Sequence, residues 1–395
     1  PENELAWTEL ADVVTSPDPG LPLGELKSLL EAARRGHETR REWEAVARVL
    51  ELEMLLHAGT PVELAMLFEF ARVLDEECFE TEKAEKAYAR LLELRPNDES
   101  IHEVLERHRN GRANWKALAE DLVQHADGAA DAITASAFLF QAAELLHRFG
   151  DADAAQQAIV HLERALQLAP THERAAALLE RIYSKAGRFE DAARIAEVIA
   201  TYASNKETKA AALIRIARIS RHKLGSEGRA SAAYERVLDL YPGHPEAMAF
   251  LSSFFSSREQ WDHLVALYED QLRGGGAPPG EEAGIILQIA MVHWRMRGDA
   301  RAAKPWFDRL RRLQPAHRGM LDFYREHCGN EEGRFRLMTV LSDAQRAMPD
   351  GPEKAQLAAE IAKLAEEGAN AQKAIEQYKT LLRAEPDNRE ARDAL

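Results

Sequence analysis

Basic side chains recur along several helical segments of a chain that is acidic overall. Segment 171–186 carries Arg174, Arg181 and Lys185, segment 206–223 carries Arg218, Arg221 and His222, segment 281–297 carries Arg295, and Arg107 lies on an equivalent segment upstream. A row of guanidinium and ammonium groups can grip a carboxylate-rich peptide or a chain terminus through charge-assisted hydrogen bonds. The alternative is a set of ordinary solvated charges balanced by glutamates on neighbouring turns. No other constellation suggests chemistry on a substrate. There is no P-loop, no Gly-x-Gly-x-x-Gly after a strand and no His-Glu-x-x-His. The 14 histidines are scattered: His102 and His108 are six apart and off one helix face, while His317 and His327 flank a helix with no carboxylate at metal spacing. Cys78 and Cys328 have no CxxC neighbour and read as reduced, buried thiols of a reducing, cytoplasmic compartment. We therefore expect no catalytic residue, no metal site and no cofactor.

The elements that would position this row announce themselves by repetition. Pro96, Pro170, Pro242, Pro315 and Pro386 lie 74, 72, 73 and 71 residues apart. Twelve residues before each stands an alanine: Ala84, Ala158, Ala230, Ala303 and Ala374. Eight before stands Tyr88, Leu162, Tyr234, Phe307 or Tyr378, and five before stands Leu91, Ala165, Val237, Leu310 or Leu381. These offsets form one stripe of an α-helix. A methyl-sized side chain lets a neighbouring helix approach, and the large residue one turn on fills the space beside it. The proline then stops the helix, because it disfavours α geometry in the residue before it. After each proline an aromatic follows, with Trp115, Phe189 and Trp261 at +19 and Phe335 at +20. Trp43 begins a similar segment. The fixed phase of these rings predicts core positions, not a ligand-binding set. Each beat of about 73 residues thus predicts four helices, or two hairpins, with a half-beat near the roughly 34-residue tetratricopeptide period.

The stretch Gly187-Arg188-Phe189-Glu190-Asp191-Ala192 resembles the turn and second-helix start of the tetratricopeptide repeat. Ala158, Leu162, Ala165 and Pro170 match that family's small, bulky, small and proline positions, as do Ala230, Tyr234, Val237 and Pro242. The resemblance covers about residues 60–395, is specific in the second helices and weak in the first, where Ala217, Ala290 and Ala362 take the small slot. A loop at Gly150–Ala155 reads as longer than the family norm. The paired unit is similar to large bacterial scaffolds of this family. The resemblance implies an all-α, right-handed superhelical solenoid of about ten hairpins, each touching only its neighbours, with first helices lining an open concave face. On that face Arg181, Lys185, Arg218, Arg221 and His222 are expected to point inward together. HEAT and armadillo repeats run longer and lack this alanine-aromatic-proline signature.

The expected organisation is an irregular helix and loop over 1–22, with Ser16–Gly20 as a loop, followed by a solenoid over 23–395. Its units are 23–96, 97–170, 171–242, 243–315 and 316–386, and a further helix then begins. Joints fall at Gly59–Pro61, Asp127–Asp131, Ser204–Thr208, Gly274–Gly280 and Pro349–Pro352. The chain starts at Pro1 and stops early in a helix, so it reads as a segment of a longer protein. Its net charge of −15 disfavours nucleic acid and anionic membrane surfaces, and no run reaches the roughly 18 apolar residues of a membrane span. The expected function is a non-catalytic scaffold that binds another protein or peptide, acidic in character. A regulatory or substrate-recruiting arm of a larger kinase or protease is the alternative, and RNA binding a third reading.

Overall fold

The computed structural model describes residues 4–16, 20–275, 280–328, 333–385 and 388–395, which contain 21 α-helices and no strand. Contacts divide the chain into two compact units, Pro1–Arg236 and Val237–Leu395. The first holds α1 (Glu4–Thr15), α2 (Leu23–Thr39), α3 (Trp43–Leu56), α4 (Pro61–Arg72), α5 (Thr81–Leu94), α6 (Glu99–Asp127), α7 (Ala132–Phe149), α8 (Ala152–Leu168), α9 (Glu173–Lys185), α10 (Phe189–Tyr202) and α11 (Lys206–His222). Helix α12 (Glu227–Leu240) contains the division. The second unit continues with α13 (Pro245–Ser257), α14 (Trp261–Arg273), α15 (Glu282–Met291), α16 (Ala300–Leu313), α17 (Arg318–Cys328), α18 (Arg334–Ala347), α19 (Pro352–Glu367), α20 (Ala371–Ala384) and α21 (Arg389–Asp393). Within each unit successive helices pack as antiparallel hairpins, so the fold is an all-α helical-repeat solenoid.

The alanine stripe is the seam of these hairpins. Ala84, Ala158, Ala230 and Ala303 have no exposed surface and Ala374 has 4%. Tyr88, Leu162, Tyr234, Phe307 and Tyr378 are buried beside them, and so are the first-helix alanines Ala217, Ala290 and Ala362. Burial at that density leaves no volume for a larger side chain. Ala230→Leu should therefore cost about 1–3 kcal/mol by overpacking, read as a lower melting temperature. An unchanged melt would place Ala230 away from a helix contact. The proline at 386 and the expected loop residues 17–19 and 276–279 lie outside the described residues.

Several of the described hairpin turns are closed by a left-handed residue. At the α19–α20 turn the Asn370 amide donates to the Ala365 carbonyl at 2.8 Å and the Ala369 amide to the Glu366 carbonyl at 3.0 Å, with Ala369 at φ 54°. This is the paired Schellman arrangement, and it spends an L-residue where glycine is preferred. Ala369→Gly should raise stability by about 0.5–1 kcal/mol, the left-handed penalty less the glycine entropy cost. Unfolding by urea checks it.

Two first helices end in a π-turn, Val73–Glu77 after α4 and Val292–Met296 after α15. Both close alike: the Cys78 amide donates to the Val73 carbonyl at 2.9 Å and the Arg297 amide to the Val292 carbonyl at 3.0 Å.

Four expectations need correction. Interval 97–170 holds three helices instead of four, because 99–127 is one continuous helix where a turn before Trp115 was expected. Gly111 sits inside it, and a Cβ there would come within 2.6 Å of the Phe149 ring. The bare backbone thus seats α7 against the middle of α6. The connection after Phe149 is short, since α8 already starts at Ala152. The aromatic column is not core: Trp43, Trp115, Phe189 and Trp261 are half-buried, and Phe335 is 75% exposed. Trp43, Phe189 and Trp261 open their helices and Phe335 is second in its own, where one side faces water. Finally, hairpins of the first unit touch more than their neighbours, as the ion pairs below establish.

Candidate partner-binding face

Helix α9 is built to present its polar side. Ala175, Ala176, Leu178, Leu179, Ile182 and Tyr183 are buried, which leaves Arg174, Arg181 and Lys185 on the rest of the surface. Helix α11 repeats this with Ala210–Ile214, Ile216 and Ala217 buried and Arg218, Arg221 and His222 toward its C-terminus. Cations in a last turn also suit the partial negative charge of the helix end.

The two helices face carboxylates brought from far back in the chain. Arg218 Nη1 donates to Glu42 Oε1 at 2.8 Å across 176 positions. Arg181 pairs with Glu44, and its Nη1 donates to the Glu77 carbonyl at 2.8 Å. Lys185 Nζ donates to Glu80 Oε1 at 2.9 Å. In the opposite sense Arg41 Nη1 donates to Glu173 Oε2 at 2.9 Å. The carboxylates come from the start of α3 and the residue before α5, and the end of the first π-turn adds the Glu77 carbonyl. The row predicted to meet an external carboxylate thus meets internal ones. Arg174 lies over the Phe140 ring, 5.1 Å from its centroid. Arg221 and His222 are exposed at the end of α11. Arg107 is exposed on α6. Arg295 belongs to the second unit, stacked on Trp294 at 3.4 Å and bonded to Glu326 at 3.2 Å. The structure therefore gathers Arg181, Lys185 and Arg218 against one acidic segment. The balancing acids were missed, because nothing local links positions more than a hundred residues apart. Arg215, which donates to the buried Glu180 at 2.7 Å, is balanced from the preceding hairpin, as Arg295 is by Glu326 of α17, and not by a glutamate on a neighbouring turn.

The electrostatics follow the contacts. Burial pushes the Glu42 carboxyl up, but hydrogen bonds from His37 and Arg218 outweigh it and hold the group well below the usual range. The Lys185 ammonium lowers Glu80, whereas burial raises Glu77 despite Arg174 and Arg41 nearby. Burial pushes the Cys78 thiol up to about 11, an inert state for a thiol.

Beside this face lies a buried polar knot. Asp75 in the first π-turn meets His108 Nε2 at 3.1 Å, and Arg148 bonds its carboxylate while donating to its backbone carbonyl at 2.6 Å. Arg148 also reaches Glu144 at 2.8 Å and lies over the Phe79 ring. Bonds from His108 and the charge of Arg148 overcome desolvation and hold Asp75 low.

Residues 149–215, which span α8, α9, α10 and most of α11, match the family model for the tetratricopeptide repeat. The tetratricopeptide repeat is thus present over residues 149–215. No curated protein matches the sequence. Among solved structures, the chain is similar to the C-terminal part of a TPR repeat-containing protein from Cytophaga hutchinsonii, at 14% identity over 66% of this chain and 98% of that one, with a TM-score of 0.29. A tetratricopeptide repeat protein from Parabacteroides merdae shares 16% identity over 66% and 97%, with a TM-score of 0.25. A structure of Naa15/Naa10 bound to HypK-THB gives 13% identity and a TM-score of 0.31, over 98% of this chain and 65% of that one. These likenesses concern the helical-repeat fold alone. Tetratricopeptide repeats generally bind other proteins without catalysis. Among the described residues no group of His, Cys, Asp or Glu is placed to hold a metal ion, and no helix is long and apolar enough to cross a membrane.

Proposed function

We propose that the chain is a non-catalytic protein-interaction scaffold whose α9–α11 face takes an acidic segment of a partner protein. One observation carries the reading: Arg181, Lys185 and Arg218 each already hold a carboxylate. Three cations that each take a carboxylate offer the charge and the donors which that class of ligand needs. The net charge of −15 supports a protein partner over nucleic acid.

The test is retention of fluorescent peptides rich in Glu on the immobilised chain, with Lys-rich peptides and a homopolymer RNA as controls. Acidic peptides should bind, and Arg181→Glu with Arg218→Glu should weaken them at least about tenfold, one charge-assisted pair's worth. Unchanged retention in the double variant removes this face from consideration.

A further inference from the structure

Helices α9 and α11 meet the segment 42–80 in a manner that differs from packing. The contact is polar, one-signed on each side apart from Arg41, and assembled from elements separated by a hundred or more positions. Its pairs are unequal. Arg218–Glu42 is shielded, with side-chain exposures of 20% and 13%, and Glu42 is further fixed by His37 at 2.6 Å and Arg40 at 2.9 Å. Glu44, by contrast, is 69% exposed, and the Lys185–Glu80 pair is open to water on both sides. Exposed pairs of this kind hold weakly, because water competes and long side chains must be immobilised.

Arg181 shows what is missing. Its Nη1 is satisfied by the Glu77 carbonyl and Nη2 by Glu44, but Nε is buried without an acceptor. A guanidinium fork of this sort is best met by a carboxylate that takes two donors side by side. The internal acid supplies a single contact and leaves a buried donor unmet, which is costly.

We propose, resting on the reading of this face given above, that the segment 42–80 is a built-in surrogate for the partner. In this arrangement Glu42 is the fixed anchor, and Glu44 and Glu80 are displaceable stand-ins. The true ligand is an acidic peptide segment whose carboxylates evict Glu44 and Glu80 and occupy Arg181 and Lys185. The face is thereby held closed to weak acidic ligands and opened by strong ones.

The experiment uses a fluorescein-labelled peptide of alternating Glu and Ser, read by anisotropy against the full chain. Variants are Glu44→Gln with Glu80→Gln, and the same pair with Arg181→Gln added. Removing two exposed pairs should tighten the peptide about 5- to 30-fold over the unmodified chain. Adding Arg181→Gln should erase that gain. Glu44→Gln alone, at an exposed position, provides a variant with little risk to folding and should give part of the gain. Hydrogen exchange adds a readout that needs no variant: saturating peptide should slow exchange in α9 and α11 and speed it at the first turns of α3 and α5. Equal affinity for all acid variants, with Arg181→Gln still weakening binding and no acceleration in α3 or α5, overturns the surrogate and leaves the face intact. Tightening that survives Arg181→Gln places the peptide elsewhere and also overturns it. No binding by any variant defeats the face itself and the surrogate with it.

Discussion

Asp75→Ala should destabilise the first unit by about 3–5 kcal/mol, the cost of stranding one partner of a buried ion pair. Asp75 and Arg148 expose 5% and 8% of their side chains, so neither can turn to water when the other is lost. Arg148 keeps Glu144, which places the expected cost at the lower end of that range. Arg148→Met carries an added penalty. It removes the donor that meets the Asp75 carbonyl in the π-turn, a backbone group that otherwise sits in a buried site. For a unit of this size each kcal/mol moves the melting midpoint by about 2–4 °C, so a loss of roughly 6–12 °C is expected at minimum. The double variant should lose less than the two single ones together, with a coupling of about 0.5–3 kcal/mol. Strict additivity would show that the two groups do not sense each other, and the knot would then be an accident of side-chain placement.

This knot, unlike the hairpin seam, could not be read from the sequence, and the contrast has a physical cause. The alanine at −12 and the ring at −8 pack within one helix and against the next, so their spacing is fixed by the 3.6-residue turn and is visible locally. Ala158 with Leu162 and Ala303 with Phe307 are such pairs, and all four are fully buried. The basic residues on α9 and α11 were legible as a row for the same reason. Their acids were not, since Glu42 and Glu80 reach Arg218 and Lys185 only after the intervening hairpins have set their angles. Helix α6 misled for a related reason. The phase of Trp115 implied a break ahead of it, yet the helix runs through and Gly111 serves close approach to Phe149, a tertiary demand that the repeat spacing cannot reveal. Phe335 shows the opposite error, a column position matched by type but left in water by its own helix.

Acid should loosen the first unit well before Glu42 and Asp75, its low-lying carboxylates, protonate. His147, half-buried near the end of α7, has its imidazole pushed down to about 4, first by burial and then by the charges of Lys185, Arg148 and Arg181. An unfolded histidine titrates near 6.5. Between those values the unfolded chain binds the proton and the folded one does not, so stability rises with pH through that window. The contribution of His147 is complete above about pH 6.5 and is lost progressively as pH falls toward 4, a swing of the order of 3 kcal/mol. His161 and His172, also lowered first by burial, add in the same direction. Glu42 and Asp75, both held low, act later: their stabilisation is present above the unfolded carboxylate range and fades only below about pH 4. Melting of the unmodified chain should therefore fall from pH 7 to 4.5 and then fall again. His147→Gln, which removes the titrating group and keeps a polar side chain, should flatten the first descent and leave the second. If the variant keeps the full slope between pH 6.5 and 4.5, His147 is protonated in the folded chain, and the cations of α9 do not bear on it as their positions require.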